Sequence, residues 1–180
     1  MRYVLVCALL LLSAWPSTSA AAALDQATSV TRVLELTNAE RAKAGLPPLA
    51  LSSELNVAAQ SYTQVLASSG CFDHTCGPVP AMADRLGQAG YTGWTSIGEN
   101  IAAGYRTPEA VVEGWMSSPG HRSNILSPTY TEVGIGVVSG SGALGTYWTT
   151  DFGNRTGAAS AQAEVPQAVD EAPPTPDEGE

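Results

Sequence analysis

Residues 131–138, Thr131-Glu132-Val133-Gly134-Ile135-Gly136-Val137-Val138, break the rhythm of everything before them. Val133, Ile135 and Val137 recur every second residue, and β-branched side chains at that period make a strand. A second such run, Leu144 to Phe152, follows, and glycine and serine at Ser139-Gly140-Ser141-Gly142 supply a hairpin connection. Glycines inside the strands indicate close approach of another backbone or helix.

Upstream, the apolar period is helical. Leu24 to Ala44 reads as a helix ended by Gly45 and Pro47-Pro48. Ser52 caps a second helix running to Ser68, with Leu55, Ala58, Ala59, Tyr62, Val65 and Leu66 on one face and Gly70 at its end. A shorter helix spans Pro80 to Ala89. Thr107-Pro108-Glu109 opens a fourth, which Pro119-Gly120 closes. Helices first and strands later give an α+β layered fold.

The termini differ from this middle. Met1-Arg2, the apolar run Val4–Leu12 and the small residues up to Ala23 form a secretory signal, expected over 1–23. The run is too short to span a membrane as a mature helix, and no later segment is apolar enough for transmembrane anchoring. A domain is expected over 24–156, and an acidic, disordered, Pro/Ala-rich tail over 157–180. Residues 24–157 hold eleven acids and seven bases, while 158–180 hold six acids and no base. No basic patch exists to attract nucleic acid.

Of three cysteines, Cys7 lies in the signal, leaving Cys71 and Cys76. An even pair in an exported chain reads as a disulfide. A loop this small contributes roughly 2 kcal/mol by chain entropy. Thiolate zinc ligands are the rival reading, but the C-x4-C spacing and the lack of a second cysteine pair argue against a structural zinc site.

The chemical inventory is short. His74 lies in the Cys71–Cys76 turn and His121 lies in a loop just past the fourth helix; these are the two histidines of the chain. Between them, Glu99 and Asn100 interrupt an apolar, small-residue stretch and need polar partners if buried. Two imidazoles and a carboxylate suit a divalent ion or acid/base work. A histidine that merely ties a loop by a hydrogen bond is the plain alternative at each position. No G-x-S-x-G elbow, phosphate-binding glycine loop or H-E-x-x-H motif is present. Trp94, Trp115, Trp148, Tyr147 and Phe152 are core candidates, with an aromatic ligand wall as the alternative.

Five stretches occur in order: Leu36-Thr37-Asn38-Ala39-Glu40-Arg41, Phe72-Asp73-His74, Gly98-Glu99-Asn100-Ile101, Trp115 through Leu126, and Tyr147 through Gly153. Together they resemble the bacterial branch of the CAP superfamily, the SCP-like extracellular domain related to antigen 5, pathogenesis-related and cysteine-rich secretory proteins. The resemblance covers roughly residues 30–153. It implies an α-β-α sandwich around a small central antiparallel sheet. It also implies a cleft lined by two histidines and two acids, with His74, His121 and Glu99 as metal-binding positions. Ser118 stands where many relatives carry the second acid. Glu113 is close in sequence but rotated some 140° around the helix. Asn100, Ser118 and Glu113 are therefore expected around the cleft rather than as ligands.

These features lead to an expectation of a secreted binding module, a monomer, for a divalent metal such as zinc or a small apolar ligand. Partners within that expectation are a lipid or sterol, another extracellular protein or a cell-wall component. A metal-assisted hydrolase with Glu99 as base, and an interaction domain with purely structural histidines, are the alternatives.

Overall fold

A computed structural model describes residues 18–139 and 143–155. The expected signal, the acidic tail and most of the hairpin turn at 139–142 lie outside those residues, apart from the start of the first helix. Helix α1 spans Thr18–Lys43 and so begins ahead of Leu24. It is followed by β1 (Ala50–Leu51), α2 (Ser53–Ser69), α3 (Met82–Gln88), β2 (Trp94–Ala103), α4 (Pro108–Ser117), α5 (Pro119–Ile125), β3 (Glu132–Val138) and β4 (Tyr147–Arg155).

The strands lie in the order β1-β3-β4-β2. The three long ones are antiparallel, but β1 pairs parallel to β3, so the sheet is mixed rather than wholly antiparallel. Two further elements differ from the sequence reading. The segment around Glu99, to which the sequence assigned no element, is a ten-residue edge strand, β2. His121 sits on a helix, α5, and not in a loop. Pro119-Gly120 reads as a stop, yet Pro119 occupies the first helical position, where its missing N–H costs nothing.

Strand alternation assigns each face. Val133, Ile135 and Val137 of β3 pack with Trp148 and Phe152 of β4 against Val33 of α1, Val111, Val112 and Trp115 of α4, and Ile125 of α5. Burying side chains of this size stabilises by roughly 1.5–3 kcal/mol each. The intervening Gly134 and Gly136 face α2: a methyl at Gly134 would fall on the backbone of Leu55 and Asn56, and one at Gly136 on Ala59. This is the close helix approach expected of those glycines. Helices α2 and α3 cover this second face through Leu55, Ala58, Tyr62, Leu66 and Leu86. The result is an α-β-α sandwich. Trp115, Trp148, Tyr147 and Phe152 are core residues as expected, while Trp94 is 38% exposed.

Candidate functional site

Helix α2 ends at Gly70, whose φ of 72° is the left-handed conformation that releases the chain into the 71–76 turn. Cys71 and Cys76 are joined across that turn, with Cα atoms 5.8 Å apart. The backbone inside it is held from outside: Tyr62 donates its hydroxyl to the Asp73 carbonyl at 2.6 Å, and Arg85 Nη1 donates to the His74 carbonyl at 3.3 Å. The turn therefore presents His74 in a fixed position.

His74 Nδ1 lies 2.7 Å from Glu99 Oε1. A carboxylate only accepts, so Nδ1–H is the donor, and in the neutral ring Nε2 then carries the lone pair. The imidazole is 54% exposed, whereas the Glu99 side chain is 3% exposed, so the ring points outward from a buried anchor. The second oxygen of Glu99 is paired with Arg85 Nη2. Arg85 is itself buried, stacked 3.5 Å over the Tyr62 ring. Both oxygens of Glu99 are thus engaged, and it orients His74 instead of offering a free lone pair to a ligand.

His121 comes from the opposite layer. Its carbonyl accepts from Asn100 Nδ2 at 3.1 Å, and Asn124 Nδ2 on the same helix donates to Asn100 Oδ1 at 2.8 Å. Consecutive strand residues point to opposite faces. Glu99 therefore serves the α2–α3 layer and Asn100 the α4–α5 layer, and the two histidine-bearing segments attach to the edge strand β2 from its opposite faces. Burial holds the His121 ring below its ordinary titration range, and the charge of nearby His74 adds to the depression.

The other expected residues divide. Asn100 belongs to the site as a tether. Ser118 caps α5 through its backbone: its carbonyl accepts from the Arg122 N–H at 2.8 Å. Glu113 is exposed and lines a different groove between α1 and α4, with Leu36, Lys43 and Met116. Three residues not foreseen complete the arrangement: Arg85, Asn124 and Asp151. Asp151 stands directly opposite Glu99 in the β2–β4 register and is fully buried. Among the described residues, no group of three or more His, Cys, Asp or Glu side chains is gathered to hold a metal.

Comparison with known proteins follows the same outline. Residues 34–152 match the CAP model, described as the cysteine-rich secretory protein family, and the chain belongs to that family. YkwD of Bacillus subtilis (strain 168), itself uncharacterized, is 41% identical over 121 residues, covering 67% of this chain and 45% of its own. The human Golgi-associated plant pathogenesis-related protein 1 is 31% identical over 118 residues, covering 61% of this chain and 72% of its own. Among solved structures, an extracellular protein containing a SCP domain from Bacillus anthracis superposes with a TM-score of 0.71 at 27% identity, over 79% of this chain and 45% of that one. This chain therefore spans less than half the length of both Bacillus proteins.

Proposed function

We propose that this CAP-domain chain is an exported binding module whose His74–His121 pair takes a divalent cation, zinc foremost, through His74 Nε2 and a ring nitrogen of His121. The observation that carries this reading is the His74–Glu99 hydrogen bond at 2.7 Å. A carboxylate on one imidazole nitrogen fixes the tautomer and raises the basicity of the other, the usual arrangement behind a metal-ligating histidine. Two imidazoles without a third protein ligand fit an open, exchangeable site and not a closed structural one. A cation held there would polarise a bound oxygen ligand.

Binding is favoured over turnover by the same geometry. A general base needs a free oxygen, and those of Glu99 are committed to His74 and Arg85. Export is supported by the N-terminal signal pattern and by the extracellular relative from Bacillus anthracis. An oxidising exterior in turn suits the Cys71–Cys76 bond. Lipids, sterols, other extracellular proteins and cell-wall polymers are the partners such a setting offers.

Calorimetric titration of zinc into the metal-free exported chain near neutral pH tests the proposal. One ion per chain is expected, lost in a His74→Ala/His121→Ala variant whose circular dichroism matches the parent. Equal heats for parent and variant would sink the cation reading.

A further inference from the structure

We infer that Asn124 is the positioning residue of the histidine pair: its side-chain nitrogen fixes where the His121 helix stands against the strand that anchors His74, and so sets the span between the two imidazoles. Alternate residues of β2 turn their backbone groups away from β4, along the free edge of the sheet. Three of these outward carbonyls each accept a side-chain donor from the α4–α5 side. Ile97 accepts from Tyr130 Oη at 3.0 Å, Glu99 from Asn124 Nδ2 at 3.2 Å and Ile101 from Trp115 Nε1 at 3.4 Å. Tyr130 and Trp115 are buried core residues, whereas Asn124 is half-buried and lies on the same helix as His121, three residues further on. Of the three rungs, only the middle one ties a histidine-bearing element to the strand.

The tie closes on itself. Asn124 Nδ2 carries two hydrogens; one goes to the Glu99 carbonyl and the other to Asn100 Oδ1 at 2.8 Å. Asn100, wholly buried, donates in turn from Nδ2 to the His121 carbonyl at 3.1 Å, three residues back on α5. Turning the Asn124 amide over would set its oxygen against two acceptors, so the partners fix its orientation. Little room exists for another position: a methyl on Gly98 would fall on Tyr130 Oη and crowd Asn124 Oδ1. At seven residues α5 is too short to hold its own place. Arg41 pins its far end at the Ile125 carbonyl, while Asn100 and Asn124 hold the turn that carries His121. Glu99 stands at the other end of this linkage, with its side chain on His74 and its carbonyl on Asn124. Asn124 thus locks both members of the Glu99–Asn100 pair to α5.

The consequence for binding rests on the cation reading, but the positioning itself is measurable without a metal. In the full exported chain, Asn124→Asp keeps the shape of the side chain and removes both donors. Zinc titrated calorimetrically should bind it roughly 10- to 100-fold more weakly than the parent, the loss usual for a residue behind a metal ligand. Tyr130→Phe drops the neighbouring rung without touching α5, so it should lower the melting temperature and leave zinc affinity as in the parent. Asn124→Gln keeps the donor on an arm one methylene longer, and should weaken zinc binding through a displaced His121. Equal zinc affinity in the parent and Asn124→Asp overturns the inference, as does a loss in Tyr130→Phe as large as that in Asn124→Asp. A parent that takes no zinc sinks the cation reading, and metal-free protein then decides. Nuclear Overhauser contacts of the His121 ring should change in Asn124→Asp and Asn124→Gln and persist in Tyr130→Phe; unchanged contacts in Asn124→Asp overturn the inference. If Asn124→Asp does not fold, Asn124→Gln carries both measurements.

Discussion

The Arg41 guanidinium reaches across 84 residues of sequence to donate from Nη1 to the Ile125 carbonyl at 2.8 Å. It is completely buried, and its other donors go to the carbonyls of Pro47, Ser127 and Tyr130. One side chain thus closes the end of α1, the last turn of α5 and the approach to β3. Arg41→Met should cost roughly 3 kcal/mol in urea unfolding, because four carbonyls lose a charge-assisted donor. Lysine should not restore it, since a single ammonium cannot span the fork. His121 ring resonances should shift in both variants, as α5 loses its anchor.

The α2–β3 contact makes a sharp contrast between glycines. Gly134→Ala and Gly136→Ala drive a methyl into the α2 backbone, which cannot yield as a side-chain tip can, and each should cost at least about 3 kcal/mol. Gly120, on α5, has nothing within 4 Å of the same position. Gly120→Ala should be neutral or stabilise by up to about 1 kcal/mol through helix propensity. Thermal melts of the three variants check both halves.

His121 gives stability an acid limb. Its folded-state titration lies below the ordinary 6.5, chiefly because burial disfavours the charged ring. The unfolded chain therefore binds the proton first. Stability is unaffected above that ordinary value, falls as pH drops through it, and levels once the folded ring also protonates. Denaturant midpoints measured across this window should fall in the parent and fall less in His121→Asn.

A third helix–sheet device closes the β3 edge beyond the short β1. Asn56 Oδ1 accepts from Ile135 N–H at 2.7 Å, and Gln60 exchanges two bonds with Val137, at 2.9 and 3.1 Å. These amides stand in for a neighbouring strand. Asn56→Ala/Gln60→Ala should expose an unpaired edge and convert the protein to dimers or larger species by sedimentation, as unprotected edges do.

Much of this was legible locally. The β3–β4 pair declared itself by alternating valine and isoleucine and α4 by Thr107-Pro108, while the two histidines and Glu99 stood out by scarcity and were grouped only through the family resemblance. Strand β2 was not legible, because the residues that would alternate as apolar include Glu99 and Asn100, committed to partners on two layers. Helix α5 was hidden by a proline that starts a helix where it seemed to stop one. Arg85 and Asp151 escaped for a different reason. Their meeting with Glu99 depends on strand register and on where α3 lands, and neither leaves a mark within a local window.

Glu99 and Asn100 are neighbours in the chain, yet each grips a histidine-bearing segment from a different helical layer. Anything held by both imidazoles would act as a rivet at the rim of the sheet, clamping the two layers without entering either. Sliding of one layer past the other changes the span between the rings, so grip and stiffness become one mechanical variable. Occupancy should then slow amide exchange in α3 and α5 together, including at residues that touch nothing bound.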